Sequence, residues 1–345
     1  MLQKLLSHAV DLKEITNNIK TFNKIIFIGT GGSSLVGQAL KCIAQPEQRS
    51  KILFFDNIDP RTFREKILPL TKEKTFFILI SKSGRTSEVL AQTDSLSSYL
   101  SARNTLVITE ATNNPLRNLA EIHGWKILEH PAEIGGRFSA FTVVGLLPCL
   151  LLGLSDQRFI EGAQNALNNQ DTIQKKIEAI YDNHPIDRQI ILSYSDYTGG
   201  LLGWMSQLIA ESLGKTPDKS IIPITARGTV DQHSQLQLWM DGPKNQFFQI
   251  YFFHDALDQS QIYVNNKAFS YDQLFKIHSQ ATRKALEDNG YYVEYKEYAA
   301  LDEETLGEIM MEKFIEVFAF AKLMQINPEG QPGVERAKKA IGLYI

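Results

Sequence analysis

The sequence predicts an α/β protein made of two parallel-sheet domains. Three observations carry that prediction. Short, β-rich apolar runs alternate with helical patterns. The runs are nearly continuous in apolar residues, as strands covered on both faces must be. The pattern also restarts after a long helical stretch at 137–183, and 345 residues allow about two domains of about 150 residues each.

In the first half the strand candidates are "KIIFIG" (24–29), "KILFFD" (51–56), "TFFILIS" (75–81), "NTLVIT" (104–109) and "WKILEH" (125–130). Helical patterns at 34–44, 86–100 and 115–123 separate them. In the second half the strands are "RQIILSYS" (188–195), "SIIPITAR" (220–227), "FFQIYFF" (247–253) and "YYVEYKEY" (291–298). Helices at 199–213, 233–240 and 271–288 fall between them, and helices at 303–325 and 333–342 close the chain. The expected division is a first domain at 1–155, a second at 156–300 and a C-terminal helical segment at 301–345. No long Pro/Gly linker separates the halves, so the two domains are expected to stack tightly.

Composition narrows the function. A formal net charge of -3 gives no broad basic face for nucleic acid. Cys42 and Cys149 lie far apart in apolar surroundings and read as buried thiols of a reducing compartment. The first twenty residues are amphipathic with acidic positions, unlike a secretory signal. The longest apolar run, Phe141–Leu154, is too short to span a bilayer. A soluble, cytoplasmic protein with no membrane or nucleic-acid partner is expected.

Ligands of open α/β sheets gather at the carboxyl ends of the strands, where helix N-termini present free N–H groups. Two loops have that position. Gly29-Thr30-Gly31-Gly32-Ser33-Ser34 combines close backbone approach with hydroxyl donors. Ser81-Lys82-Ser83-Gly84-Arg85-Thr86-Ser87-Glu88 packs four hydroxyls and two cations into eight residues. Neither is a dinucleotide fingerprint or a Walker loop, and a small phosphate ester fits better. The competing reading is that these serines and threonines only cap helices.

Four residues could do the chemistry. Glu211, in "LIAESLGK", lies among apolar neighbours near a helix C-terminus, where desolvation and the helix dipole both favour the protonated acid. Such a carboxylate suits a general base, while the alternative is a surface pair with Lys215 at i+4. His233, at a strand-to-helix junction, could face a ligand with Asp231 or Gln232 orienting its ring, or be structural. Arg137 follows Gly135 and Gly136, which allow close approach of a guanidinium to an oxyanion. Gln331 precedes a helix whose polar face carries Lys338, a residue that could equally be solvated. No His or Cys spacing suggests a metal, and no cofactor is expected.

Taken together, "GTGGSS", "SKSGRTSE", "GGRFSAF", "AESLGK", "GTVDQHSQLQLWMDGP" and "QPGVERAK" resemble the phosphoglucose isomerase family in its bacterial form, in family order from about residue 25 to the end. The resemblance implies two stacked sugar isomerase (SIS) domains of flavodoxin-like type with C-terminal helices. It implies exchange of D-glucose 6-phosphate and D-fructose 6-phosphate through a cis-enediolate. Glu211 would be the proton-shuttling base, Arg137 the enediolate stabiliser, and His233 with Lys338 the ring-opening groups. Ser81, Ser83 and Thr86, with Lys82 beside them, would clamp the phosphate. Gly32, Ser33, Gly136 and Gln331 would contact the sugar, and Glu88 would orient the histidine. A homodimer is implied, each site taking its histidine from the partner.

The chain departs from the family pattern at Thr30, Arg85, Glu329 and Gly330, and it is shorter than the family norm at its start. Arg85 adds a cation beside the expected phosphate site. Two other functions compete: a broader isomerase that also takes mannose 6-phosphate, and a non-catalytic sugar-phosphate sensor. The sensor would have no need of Glu211, Arg137, His233 and Lys338 together.

Overall fold

A computed structural model describes residues 2–7, 10–183, 186–254 and 260–344. The chain divides into two compact units, one of residues 1–162 with 199–204 and the other of residues 163–198 with 205–345.

The first unit contains β1 (Lys24–Ile28), β2 (Ile52–Phe55), β3 (Thr75–Ile80), β4 (Thr105–Thr109) and β5 (Lys126–Glu129). Their order is β2-β1-β3-β4-β5, and every pairing is parallel. This is the flavodoxin-like order, with the switch point between β1 and β3. All six residues of β3 and all five of β4 are buried. Ile26, Ile28, Phe77, Leu79 and Val107 point to one face, where Val89, Leu96, Leu116 and Ala120 meet them. Each such side chain contributes about 1.5–3 kcal/mol through removal from water.

The second unit repeats the plan. It holds β6 (Arg188–Tyr194), β7 (Ile222–Arg227), β8 (Gln246–Phe253), the short strands β9 (Ile262–Val264) and β10 (Lys267–Phe269), and β11 (Val293–Tyr298). Strands β11-β8-β6-β7 form a parallel sheet, again with the switch point beside the first strand of the unit. Helix Glu303–Met324 is buried along most of its length.

Three local features differ from the sequence expectation. The helical stretch 137–183 is subdivided: a 3₁₀ segment, Gly136–Phe141, precedes helices Val143–Leu151, Asp156–Asn168 and Gln170–Asn183. Gly153, at φ 78°, is one of the breaks. The helix expected over 86–100 stops earlier, spanning Ser87–Ser95. Strands β9 and β10 form an unforeseen antiparallel hairpin, turned by Asn265 and Asn266 with φ of 49° and 63°. Asparagine tolerates the positive φ that such two-residue turns require.

Candidate active site

The first unit brings three sequence segments to one place. Because β1 and β3 are neighbours, the loops at their carboxyl ends lie side by side. A Cβ added to Gly29 would come within 3.0 Å of the Ile80 carbonyl oxygen. Gly32 opens helix Gly32–Ile43, and a Cβ there would lie 2.2 Å from the Gly136 carbonyl oxygen and 2.8 Å from the Arg137 nitrogen. The backbone bearing Arg137 therefore rests directly on the first turn of that helix. Arg137 is only 4% exposed, and its guanidinium lies 4.9 Å from the centre of the Phe138 ring.

The loop after β3 is a tight turn. Gly84 N–H donates to the Ser81 carbonyl at 3.0 Å, and Gly84 has φ of 62°. A Cβ on Gly84 would meet Asn114 Oδ1 at 1.7 Å, so glycine is required twice, by conformation and by space. Asn114 Oδ1 in turn accepts from Arg117 N–H and caps helix Pro115–His123. Thr86 stands at the N-cap of helix Ser87–Ser95 without a side-chain capping bond. Its hydroxyl instead lies 2.8 Å from that of the buried Ser81. Two adjacent hydroxyls thus stand at the start of that helix, whose first-turn N–H groups have no intrahelical partner.

Lys82 has a different setting from that of an open clamp. Its ammonium donates to the Ala132 carbonyl at 2.8 Å and pairs with Glu110 at 3.3 Å. Glu88 accepts from the Ser87 hydroxyl at 2.9 Å. Ser83 is exposed, and its oxygen accepts from Arg85 N–H at 3.3 Å.

In the second unit Glu211 occupies the last turn of helix Gly199–Leu213 and is partly buried. Gln207 Nε2 donates to its Oε1 at 2.9 Å. Lys215, just beyond this helix, donates to the Gly330 carbonyl at 2.6 Å. That bond holds the segment leading to Gln331 beside the helix end that carries Glu211. Gln331 begins helix Pro332–Ile341, on which Lys338 pairs with Glu335 at 3.1 Å and is exposed.

His233 ends a 3₁₀ turn, Val230–His233, after β7, and it is exposed. The two residues expected to orient its ring are engaged elsewhere. Asp231 accepts from Arg227 N–H and from the Ser234 hydroxyl, each at 2.7 Å. Burial opposes the charge of Asp231, yet these bonds hold its carboxyl below the usual range. Gln232 Nε2 donates to the Tyr194 hydroxyl and to Thr282 Oγ1. Asp231 is thus held by its own turn, and Gln232 reaches inward to the buried Tyr194 and Thr282.

Among the described residues, one set of three carboxylates could in principle hold a metal: Glu294, Glu312 and Glu316, mutually within 4.8 Å. Lys296 pairs with all three, Lys176 with the first two and Lys313 with Glu316. Three ammonium groups balance three carboxylates, leaving no net charge to attract a cation. Among the described residues, no helix is long and apolar enough to cross a membrane.

Asn114 and Lys215 were not foreseen as part of the site. The Asn-Pro start of a helix and the lysine in "ESLGK" were visible signals, but only the fold shows which loop each supports.

Two flavodoxin-like parallel sheets, with a hydroxyl-lined turn after β3 and a glutamate at a helix end, define a protein of the α/β class. The phosphoglucose isomerase family profile matches residues 4–269, and the chain belongs to that family. It is 29% identical over 343 residues to the glucose-6-phosphate isomerase of Methanocaldococcus jannaschii, covering 93% of this chain and 84% of that one. It is 30% identical over 338 residues to the glucose-6-phosphate isomerase of Campylobacter jejuni, covering 91% and 83%. A hypothetical protein from Thermus thermophilus superposes with a TM-score of 0.91 at 26% identity, covering 99% of this chain and 89% of that one. A glucose-6-phosphate isomerase from Chlamydia trachomatis, 20% identical, shares the fold with a TM-score of 0.79, covering 99% and 73%. The chain is thus an aldose–ketose isomerase of this family.

Proposed function

We propose that the chain interconverts D-glucose 6-phosphate and D-fructose 6-phosphate, with Glu211 carrying a proton between the first two sugar carbons. The open-chain aldose loses its C2 hydrogen to the carboxylate, giving a cis-enediolate. The C2 hydroxyl proton passes to O1, the proton held by the carboxylate is delivered to C1, and the ketose results. One recycling base and one stabiliser of the developing oxyanion are what this step needs. Arg137 fits the second role, being an arginine on a backbone brought close by two glycines. His233, supplied by a partner subunit, and Lys338 would open the sugar ring.

The phosphate would sit at the turn Ser81–Thr86, held by hydroxyls and first-turn N–H groups. Binding it far from C1 and C2 orients the sugar and supplies energy for the transition state. The observation that carries the proposal is the uncapped hydroxyl pair of Ser81 and Thr86, 2.8 Å apart, in a chain of this family that also keeps Glu211, Arg137, His233 and Lys338. A coupled assay for glucose 6-phosphate formed from fructose 6-phosphate, without added metal, tests it. Turnover is the expected result, and none from folded protein would remove the proposal.

A further inference from the structure

We propose that Arg85, rather than Lys82, is the cation that attracts and holds the substrate's phosphate group. The inference rests on the isomerase reading above and deepens it at the phosphate end. The loop carries two cations, and their surroundings differ. Lys82 is neutralised by Glu110 at 3.3 Å, and its ammonium also donates to the Ala132 carbonyl. Its charge is therefore spent on fixing the loop to neighbouring segments.

Arg85 is exposed, and among the described residues it has no carboxylate partner. Its Nη2 donates to the Asn113 carbonyl at 3.4 Å. A carbonyl anchors the guanidinium without cancelling its charge, so most of its N–H donors stay available. The Arg85 backbone N–H donates to Ser83 Oγ, which leaves the Ser83 hydroxyl proton free for a ligand oxygen. The turn thus presents an unbalanced guanidinium one residue from Thr86 and two from Ser83. Guanidinium meets phosphate oxygens in a fork geometry that a single ammonium cannot reproduce.

The test compares wild type, Arg85→Thr, Arg85→Lys and Lys82→Met by two readouts: steady-state kinetics with fructose 6-phosphate, and competitive inhibition by inorganic phosphate. Arg85→Thr should raise both KM and the phosphate inhibition constant about tenfold at low salt, with the change in kcat much smaller. The difference from wild type should shrink as ionic strength rises, because the lost contact is partly exposed and screened. Arg85→Lys should recover part of the affinity. Unchanged KM and phosphate inhibition in Arg85→Thr would overturn the assignment, as would a larger loss in Lys82→Met. A wild-type chain that fails to turn over fructose 6-phosphate, yet loses phosphate binding on Arg85→Thr, removes the isomerase reading and leaves the anion site standing.

Discussion

Gly32 sets how closely the loop after β1 can approach the segment that carries Arg137. A methyl group there would sit 2.2 Å from the Gly136 carbonyl oxygen, a backbone atom that cannot rotate aside. Gly32→Ala should therefore cost about 2 kcal/mol and lower kcat/KM by shifting Arg137. Urea unfolding and steady-state kinetics check both, and wild-type values in both would show that the backbone yields easily. Glu211 makes a sharper test. Glu211→Gln keeps the shape of the side chain and removes its basicity, so kcat should fall about a thousandfold or more while KM moves less than about tenfold. Retained turnover would eliminate Glu211 as the base. At this scale the sequence was informative about residue types and blind to their partners. Lys82 was expected beside the hydroxyl clamp, and its pairing with Glu110 depends on β3 and β4 being adjacent, which residue types alone do not show. Asp231 and Gln232 were candidates to orient His233, but Asp231 is held by Arg227 at the end of β7 and by Ser234, and Gln232 by Tyr194 of β6 and Thr282 of helix Tyr271–Asp288.

Elements with local start and stop signals could be read directly. Helix Pro115–His123 begins at an Asn114 cap with proline in its first turn and ends at Gly124 with φ of 66°, each signal lying within the segment itself. The hairpin β9–β10 escaped notice because strands of three residues leave no periodicity to detect. The run "VEYKEY" in β11 misleads in another way, since alternating charges suggest a wetted face. Glu294 and Lys296 instead lie inside, with Lys176 of helix Gln170–Asn183 and Glu312, Lys313 and Glu316 of helix Glu303–Met324. Gln249 of β8 extends the network, donating to Glu294 and Glu316. Removing one member strands the others: Lys313→Met leaves Glu316 without its closest counter-ion and should destabilise by about 3–5 kcal/mol. Adding Glu316→Leu should recover much of that loss, and urea titration of the single and double variants measures it. An additive double variant would mean the pair is not coupled.

The same network fixes the direction of an acid effect. Burial works against ionisation of Glu294, but Lys296 and Lys176 overcome it and hold the carboxyl down to about 2, against an ordinary 4.5. Glu312 is shifted in the same direction. A carboxylate depressed in the folded state adds stability above the unfolded value, and that stability disappears as pH falls toward the folded value. Unfolding resistance should therefore decline between about pH 4.5 and about pH 2, more steeply than in Glu294→Gln. Parallel acid titrations of the two proteins would remove the explanation by coinciding.

At the scale of the molecule, the sequence showed two α/β units and a C-terminal helix but could not show what covers that helix. In the single chain, helix Pro332–Ile341 has no buried residue, and Leu343 and Tyr344 beyond it are 84% and 90% exposed. His233 is exposed as well. Such groups suit a pocket completed by a second copy, as the family resemblance implies. If each site joins Glu211 of one chain to His233 of the other, two inactive variants can repair each other. In a mixed dimer of Glu211→Gln and His233→Ala, one site carries both defects and the other carries neither. Random pairing makes half the dimers mixed, so co-expression or joint refolding should restore about a quarter of wild-type activity. Each variant alone should remain close to inactive. If both residues serve the same chain's site, every site in the mixture keeps one defect and no activity returns. The measurement therefore separates a shared site from a self-contained one, without depending on how tightly the subunits associate once paired.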